Sequence, residues 1–264
     1  MVRPRDEVKE LIRPYTGNVE DVGHDNRSFT DLTMVLDADG GRVFVKAMRN
    51  RPGGRRDQLL REREINPFVR EFAPRLLWSA ENEDWIALGF EYVTGRHADY
   101  SPDSPDLLRV IRVLDRLALN DPPEVAREWR ETRWDWWADE GDAAHFVGNT
   151  LLHADMNPDN FLVGEQRVWL VDWAWPTVGA AFIDPALLVA QLVAAHHPVE
   201  AAEQQLTHCP AWADADSAAI DAFVIAYARM TRVRAARQQD RPWVSAMADA
   251  VGAWARHRRL TDFM

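Results

Sequence analysis

Lysine is nearly missing from this chain. Of 31 basic residues among 264, only Lys9 and Lys46 are lysines. With so strong a bias a surface cation in this chain would nearly always be arginine. Cysteine is reduced to Cys209, which excludes an internal disulfide and reads as a small buried hydrophobe rather than a nucleophile. No uninterrupted apolar run approaches the roughly 20 residues that span a bilayer. The N-terminus is charged from Arg3 onward, unlike a secretory signal. A soluble, cytoplasmic protein with no membrane partner is therefore expected. Basic charge is also in deficit, 31 against 42 acidic residues for a net charge of −11, which argues against a nucleic-acid partner.

What is present is concentrated between Leu152 and Asp172. The segment Leu152-His153-Ala154-Asp155-Met156-Asn157-Pro158-Asp159-Asn160 is followed by Phe161-Leu162-Val163, a turn at Gly164-Glu165-Gln166, and Val168-Trp169-Leu170-Val171 ending on Asp172. Two short strands joined by a tight turn would bring Asn160 and Asp172 side by side. An amide and a carboxylate there can hold a hard cation such as Mg²⁺, which retains waters and substrate phosphates. Asp155 at the start of the loop is free to orient a hydroxyl and accept its proton. His153, Asp155 and Asp159 could instead ligate a transition metal, but no His-rich cluster accompanies them, and Asp159 is more simply a loop-closing residue.

The ordered set His153, Asp155, Asn160 and Asp172 resembles the H-x-D-x-x-x-x-N loop and metal-binding Asp of the aminoglycoside phosphotransferase and choline kinase superfamily, relatives of the protein kinases. Ala154 stands where protein kinases have Arg, Trp173-Ala174 follows the Asp, and there is no A-P-E segment, so the small-molecule branch fits better. The resemblance implies an α+β, protein-kinase-like, two-lobed fold. Residues 1–93 would form a small antiparallel-sheet, nucleotide-binding lobe, and residues 94–264 a mainly helical lobe for catalysis and acceptor binding. Asp155 and His153 would be catalytic, and Asn160 and Asp172 would hold Mg²⁺.

Upstream residues agree with this pattern. Lys46 lies in the alternating strand Arg42–Met48 after the turn Asp37-Ala38-Asp39-Gly40-Gly41. It resembles the kinase lysine that contacts the α- and β-phosphates. Residues Arg55 to Phe72 read as helical, with Ile65, Phe68, Val69 and Phe72 on one face, although Pro67 should kink or split the helix. Glu62 looks more like the ion-pairing partner of Lys46, with Glu64 as the alternative. The phosphate-covering turn has one glycine, leaving Gly23 and Ser28 as nucleotide-side residues. The strand Trp85–Val93 resembles the approach to the hinge, with Phe90, Glu91, Tyr92 and Val93 meeting the adenine edge. Apart from the Arg55–Phe72 helix, the first 93 residues read as strands and hairpins.

After Val93 the chain turns helical. Ser104-Pro105 starts a helix with Leu107, Val110, Ile111, Leu114 and Leu117 on one face, and Asp184-Pro185 reads as the cap and first residue of another. The family resemblance implies that Asp184 also braces the catalytic loop from below. Acidic charge gathers in this part: 15 basic against 17 acidic residues through Val93, then 16 against 25. Asp135, Asp139, Glu140 and Asp142 are interleaved with Trp134, Trp136 and Trp137. Carboxylates beside aromatic faces suit an amine-bearing sugar or a quaternary amine. Asp135, Asp139, Glu140, Asp142 and Trp137 are the substrate candidates.

The expected activity is transfer of the γ-phosphoryl group of ATP or GTP, with Mg²⁺, to a hydroxyl of a small cationic acceptor such as an aminoglycoside-like antibiotic. A metabolite kinase for choline, an amino alcohol or a sugar is the nearest alternative, and a non-catalytic nucleotide-binding module the other.

Overall fold

The computed structural model describes residues 3–23, 30–261 and 263. The chain separates into two compact units, one comprising residues up to Gly95 together with Trp169–Trp175, the other Arg96–Val168 and Pro176 onward. The first is built on an antiparallel sheet and the second is mainly helical.

The first unit contains helix α1 (Pro4–Thr16), strands β1 (Val19–Gly23), β2 (Leu32–Ala38) and β3 (Gly41–Arg49), helix α2 (Gly54–Ile65), and strands β4 (Leu76–Glu81) and β5 (Trp85–Glu91). The strands form one sheet in the order β1-β2-β3-β5-β4. Tight connection of β2 to β3 opposes Ala38 to Gly41 and Leu36 to Val43. Gly41 takes φ +110°, a backbone that side chains rarely adopt.

Every residue from Trp85 to Phe90 is buried, because this unbroken apolar run is covered on both faces of the sheet. One layer joins Met34, Leu36, Val45, Ala87 and Trp85 to Val8 and Ile12 of α1; the other joins Met48, Ile86, Leu88 and Phe90 to Leu59 of α2. Burying Val8 and Ile12 contributes about 1.5–3 kcal/mol each. The Trp85 indole N–H is satisfied by Glu7 at 2.7 Å. Gly89 leaves room for the Trp78 ring, whose nearest atom would lie 2.1 Å from an added Cβ.

Two expectations change here. The N-terminal part carries a second helix, α1, whose inward positions Val8 and Ile12 are separated by charged residues that hide the period. The helix expected over 55–72 stops at Ile65 and continues only as a 3₁₀ turn over Asn66–Phe68. Pro67 cannot donate a backbone hydrogen bond and its ring crowds the preceding turn. Asn66 uses the break: its amide donates to Pro74 O at 2.8 Å and accepts from Leu76 N at 2.7 Å, pinning the start of β4.

The second unit contains strand β6 (Arg96–His97), helix α3 (Asp106–Ala118), strands β7 (Thr150–Leu152) and β8 (Phe161–Val163), the first residue of β9 (Val168–Leu170), strand β10 (Thr177–Gly179), and helices α4 (Ile183–Ala194), α5 (Val199–Gln205), α6 (Pro210–Ala213), α7 (Ser217–Arg237) and α8 (Pro242–His257). Helix α3 buries Leu107, Val110, Leu114 and Leu117 and leaves Leu108 exposed, as its apolar period requires. Phe223 of α7 is the centre of an aromatic cluster, 4.7 Å from Trp134 and 5.9 Å from both Phe146 and Phe182. Strand β7 pairs antiparallel with β10, Leu152 opposite Thr177, and β6 pairs with β8. No described helix is long and apolar enough to cross a membrane.

Cys209 is fully buried, and burial together with a hydrogen bond to Asp115 pushes its thiol up to about 12. A buried thiol kept protonated is a poor nucleophile. The native protein should therefore react with a thiol-specific alkylating reagent at pH 8 only after denaturation, a contrast readable by mass spectrometry with and without guanidinium.

Candidate active site

In the sheet unit, three elements converge on one ammonium. Strand β3 directs Lys46 Nζ to Glu62 of α2, at 2.7 Å from Oε1 and 2.9 Å from Oε2, and to Asp172 Oδ1 at 2.8 Å. Lys46 and Glu62 are both nearly inaccessible, whereas the Asp172 carboxylate is about one-third exposed. Burial pulls the ammonium down, but Asp172 and Glu62 outweigh it, so Lys46 is held well above the ordinary lysine value of 10.5. Its stabilising charge is complete below that value and is lost only as pH rises through the folded-state value, so the network does not weaken across the neutral range. The pair is Lys46 with Glu62; Glu64, on the exposed side of α2, takes no part.

Asp172 belongs to this unit because its segment returns to it. Leu170 N donates to Phe72 O at 2.8 Å, and the buried Trp173 indole donates to Leu170 O at 2.9 Å. Asp172 itself takes φ +61°. Left-handed backbone at a non-glycine residue costs of order 1 kcal/mol or more and persists where surrounding contacts impose it.

Strand β5 places Phe90 buried, its ring 5.9 Å from Lys46 Nζ, and Glu91 half-buried with Oε1 accepting from Arg75 N at 2.9 Å. Tyr92 and Val93 lie past the end of β5. Gly23 ends β1 opposite Val35, beside an irregularity in the register. Ser28 lies outside the described residues.

In the helical unit, the Asp155 loop is suspended from α4. Both oxygens of the buried Asp184 accept backbone hydrogen bonds at 2.9 Å, one from His153 N and one from Ala154 N. Asp184 therefore braces the loop, as the family resemblance implies, and does not cap its own helix as its local setting suggests. Helix α4 begins one residue earlier, at Ile183, and the carboxylate is spent on the loop instead. Burial raises the Asp184 carboxyl, against the pull of His153 and the two N–H donors. Between those donors and Asp155, Ala154 takes φ +63°, and its carbonyl accepts from the Arg133 guanidinium at 2.8 Å. Held from both sides, Ala154 turns the chain so that Asp155 is exposed while His153 remains 1% accessible.

Asn160, largely buried, donates from Nδ2 to Asp155 O at 3.1 Å. Asn157 Oδ1 accepts from Asp159 N at 3.0 Å, and Asn157 N reaches Asp155 Oδ1 at 3.3 Å. The loop is thus closed by its own side chains, with the Asp155 carboxylate outermost. Asn160 carries an amide oxygen and Asp172 a carboxylate, each a hard oxygen donor of the kind that Mg²⁺ takes. Among the described residues no group of three or more His, Cys, Asp or Glu side chains is placed to hold a metal, which removes support from the His153, Asp155 and Asp159 alternative.

The five substrate candidates are not equivalent. Asp139 is paired with Arg229 of α7 at 2.9 Å, and the same guanidinium donates to Trp137 O at 2.9 Å. That ion pair holds Asp139 and Trp137 to the helix. Asp135 is different: burial, then the charge of Glu131, raises its carboxyl. Glu140 and Asp142 are exposed or partly so, without an ion pair among the described residues.

Several participants were not expected. Glu131 is buried, accepting from Thr177 Oγ1 at 2.7 Å and from Arg133 N at 2.8 Å, and so orients Arg133 under the loop. Tyr227 of α7 is pushed up to about 12 by burial and by Asp155. None of these has a sequence signal, since each is brought to the loop by long-range packing.

No protein-family model matches the chain, and no curated protein matches it in sequence. Solved structures do match. Choline kinase LicA from Streptococcus pneumoniae has a TM-score of 0.61 at 12% identity over 96% of this chain and 99% of that one. A thermostable mutant of aminoglycoside phosphotransferase APH(4)-Ia, in a ternary complex with AMP-PNP and hygromycin B, has a TM-score of 0.64 at 15% identity over 97% and 100%. The gentamicin complex of APH(2")-IIa gives 0.57 at 11% over 97% and 99%.

Asp184 should be the structural keystone of the loop. Asp184→Ala leaves the N–H groups of His153 and Ala154 buried without acceptors, costing about 1–3 kcal/mol for each. Chemical denaturation should show a loss of several kcal/mol; a midpoint equal to wild type would refute the suspension.

Proposed function

We propose that this chain, which has the fold of choline kinase and the aminoglycoside phosphotransferases, transfers the γ-phosphoryl group of ATP or GTP to a hydroxyl of a small cationic molecule. The observation that carries the reading is the Lys46 ammonium held between Glu62 and Asp172. A buried lysine fixed by two carboxylates is a preorganised cation, and phosphoryl transfer depends on such positioning and charge stabilisation far more than on covalent chemistry.

In this reading Lys46 steadies the nucleotide phosphates and Glu62 keeps its ammonium from swinging away. Phe90, Glu91, Tyr92 and Val93 meet the adenine, and Gly23 lies on the phosphate side. Asn160 and Asp172 would hold Mg²⁺, which when bound neutralises charge on the β- and γ-phosphate oxygens. Asp155, the exposed carboxylate of the loop, orients the acceptor hydroxyl and takes its proton as the phosphoryl group leaves the nucleotide. His153, buried against Asp184, serves the loop's shape rather than touching the acceptor.

The cationic acceptor is supported by the acidic excess after Val93 and by Asp135, a carboxylate whose raised proton affinity a bound ammonium would relieve. Glu140 and Asp142 extend the same surface. An aminoglycoside-like antibiotic, with resistance as the outcome, meets these requirements, and a cytoplasmic location would supply the nucleotide.

Two variants test the assignments. Asp155→Ala should lower acceptor-dependent turnover by at least about 100-fold while leaving nucleotide affinity near wild type. Asp172→Ala should weaken Mg²⁺-nucleotide binding itself. Nucleotide consumption measured with Mg²⁺ across aminoglycosides, choline, amino alcohols and sugars reads the first, and calorimetry the second. Full turnover in Asp155→Ala would contradict the role given to that residue.

A further inference from the structure

Asp155 follows a residue whose backbone is not its own choice. Ala154 takes φ +63°, and a left-handed non-glycine residue persists only where contacts over-determine it. Its N–H is held by the Asp184 carboxylate at 2.9 Å. Its carbonyl belongs to the peptide plane shared with Asp155, and accepts from Arg133 Nη1 at 2.8 Å. The tilt of that plane sets where the Asp155 Cα–Cβ bond points, because plane and side chain meet at one Cα.

Arg133 is itself fixed from several sides. Its guanidinium carbon lies 4.9 Å from the ring centroid of the buried Trp134. Its Nη2 lies 3.5 Å from Glu131 Oε2, and its backbone N donates to Glu131 Oε1 at 2.8 Å. Glu131 is buried in turn, with Oε2 accepting from Thr177 Oγ1 at 2.7 Å and its own backbone N donating to Val178 O at 2.8 Å. Gly179 makes room for it, since an added Cβ there would lie 3.0 Å from the Glu131 Cβ. Thr177 stands opposite Leu152 in the β10–β7 pair, and Leu152 leads directly into His153. The supports therefore close a circuit, from β7 through the loop to Arg133, Glu131, β10 and back to β7. Desolvation offsets much of what a buried ion pair gains, so such a pair is weak evidence for stability alone. What this one supplies is a fixed donor beneath a strained peptide.

We propose that Arg133 is a positioning residue for Asp155: by gripping the Ala154 carbonyl it holds the Ala154–Asp155 peptide in one orientation, and Glu131 acts through it. Arginine suits the place because its planar fork serves the carbonyl from one arm and faces the carboxylate with the other while lying on an indole. The catalytic consequence rests on the phosphotransferase reading above, whereas the grip on the loop does not.

Arg133→Met keeps the aliphatic stem beside Trp134 and removes every side-chain donor. It also leaves Glu131 buried without its cation, so Arg133→Met combined with Glu131→Gln, which removes both charges, is measured beside it. Hydrogen exchange on the full chain, read by mass spectrometry, reports on the loop without any turnover. In both variants peptides spanning Leu152–Asn160 should exchange about tenfold or more faster than in the wild type, while those of α8 keep their protection. With an acceptor in hand, both variants should lower kcat about 10- to 100-fold and leave the KM for Mg²⁺-nucleotide near wild type. Unchanged loop protection in the double variant would overturn the proposal, and so would faster loop exchange with an unchanged kcat. Equal acceleration in the loop and in α8 would mark a general loss of stability and overturn it as well. If the wild type turns over no acceptor, the phosphotransferase reading fails, and the exchange contrast alone decides whether Arg133 holds the loop.

Discussion

The sheet unit is organised around the ammonium of Lys46. Its charge could not be buried at the centre of β3 without compensation, because desolvating an ion costs more than one imperfect partner returns. Two carboxylates meet it, from α2 and from the returning segment Trp169–Trp175. That requirement fixes the height of α2 over the sheet and helps to draw a distant stretch of sequence into the unit. It also accounts for lysine here in an arginine-rich chain. Three donors on one small head can serve a bidentate Glu62 and a single oxygen of Asp172 within 3 Å, whereas a planar guanidinium would need a wider space.

The helical unit solves a different problem, which is to expose one carboxylate on a loop tied down by hydrogen bonds. Backbone strain at Ala154 is imposed by hydrogen bonds on each side, Asp184 on its N–H and Arg133 on its carbonyl. Glu131 and Thr177 then hold Arg133, so the support reaches β10 and the segment after α3. The strained residue lies next to the exposed one, as in functional sites where surrounding contacts stabilise an unfavourable backbone. Asp155 and Asp172 each sit at or beside a left-handed residue, in separate units with separate means of support.

Much of this was legible in the sequence where chemistry and spacing coincide. The interval from His153 to Asp172 marks the loop and the hairpin, and the scarcity of lysine singles out Lys46. Glu62 was favoured over Glu64 but not fixed, because two positions on a short helix differ in facing only once the helix is packed. Helix α1 was hidden by its charges, and α2 was read too long although Pro67 marked the break. Asp184 looked like a cap because an Asp-Pro pair at a helix start usually is one; only the family resemblance pointed to its acceptor work with residues about thirty positions earlier. Arg133, Glu131 and Tyr227 had no local signature for their place beside the loop. Asp139 could not be known to be paired, because Arg229 lies ninety residues away.

The most direct test of the central claim is the affinity of Mg²⁺-ATP and Mg²⁺-GTP for the wild-type chain and for Lys46→Arg, measured by calorimetry on protein shown to be folded by its thermal transition. The account predicts Mg²⁺-dependent binding of at least one nucleotide by the wild type and a loss of about tenfold or more in Lys46→Arg, since a guanidinium cannot reproduce the compact ammonium between its two carboxylates. Equal affinity in the two proteins, or no nucleotide binding by a folded wild type, would contradict it.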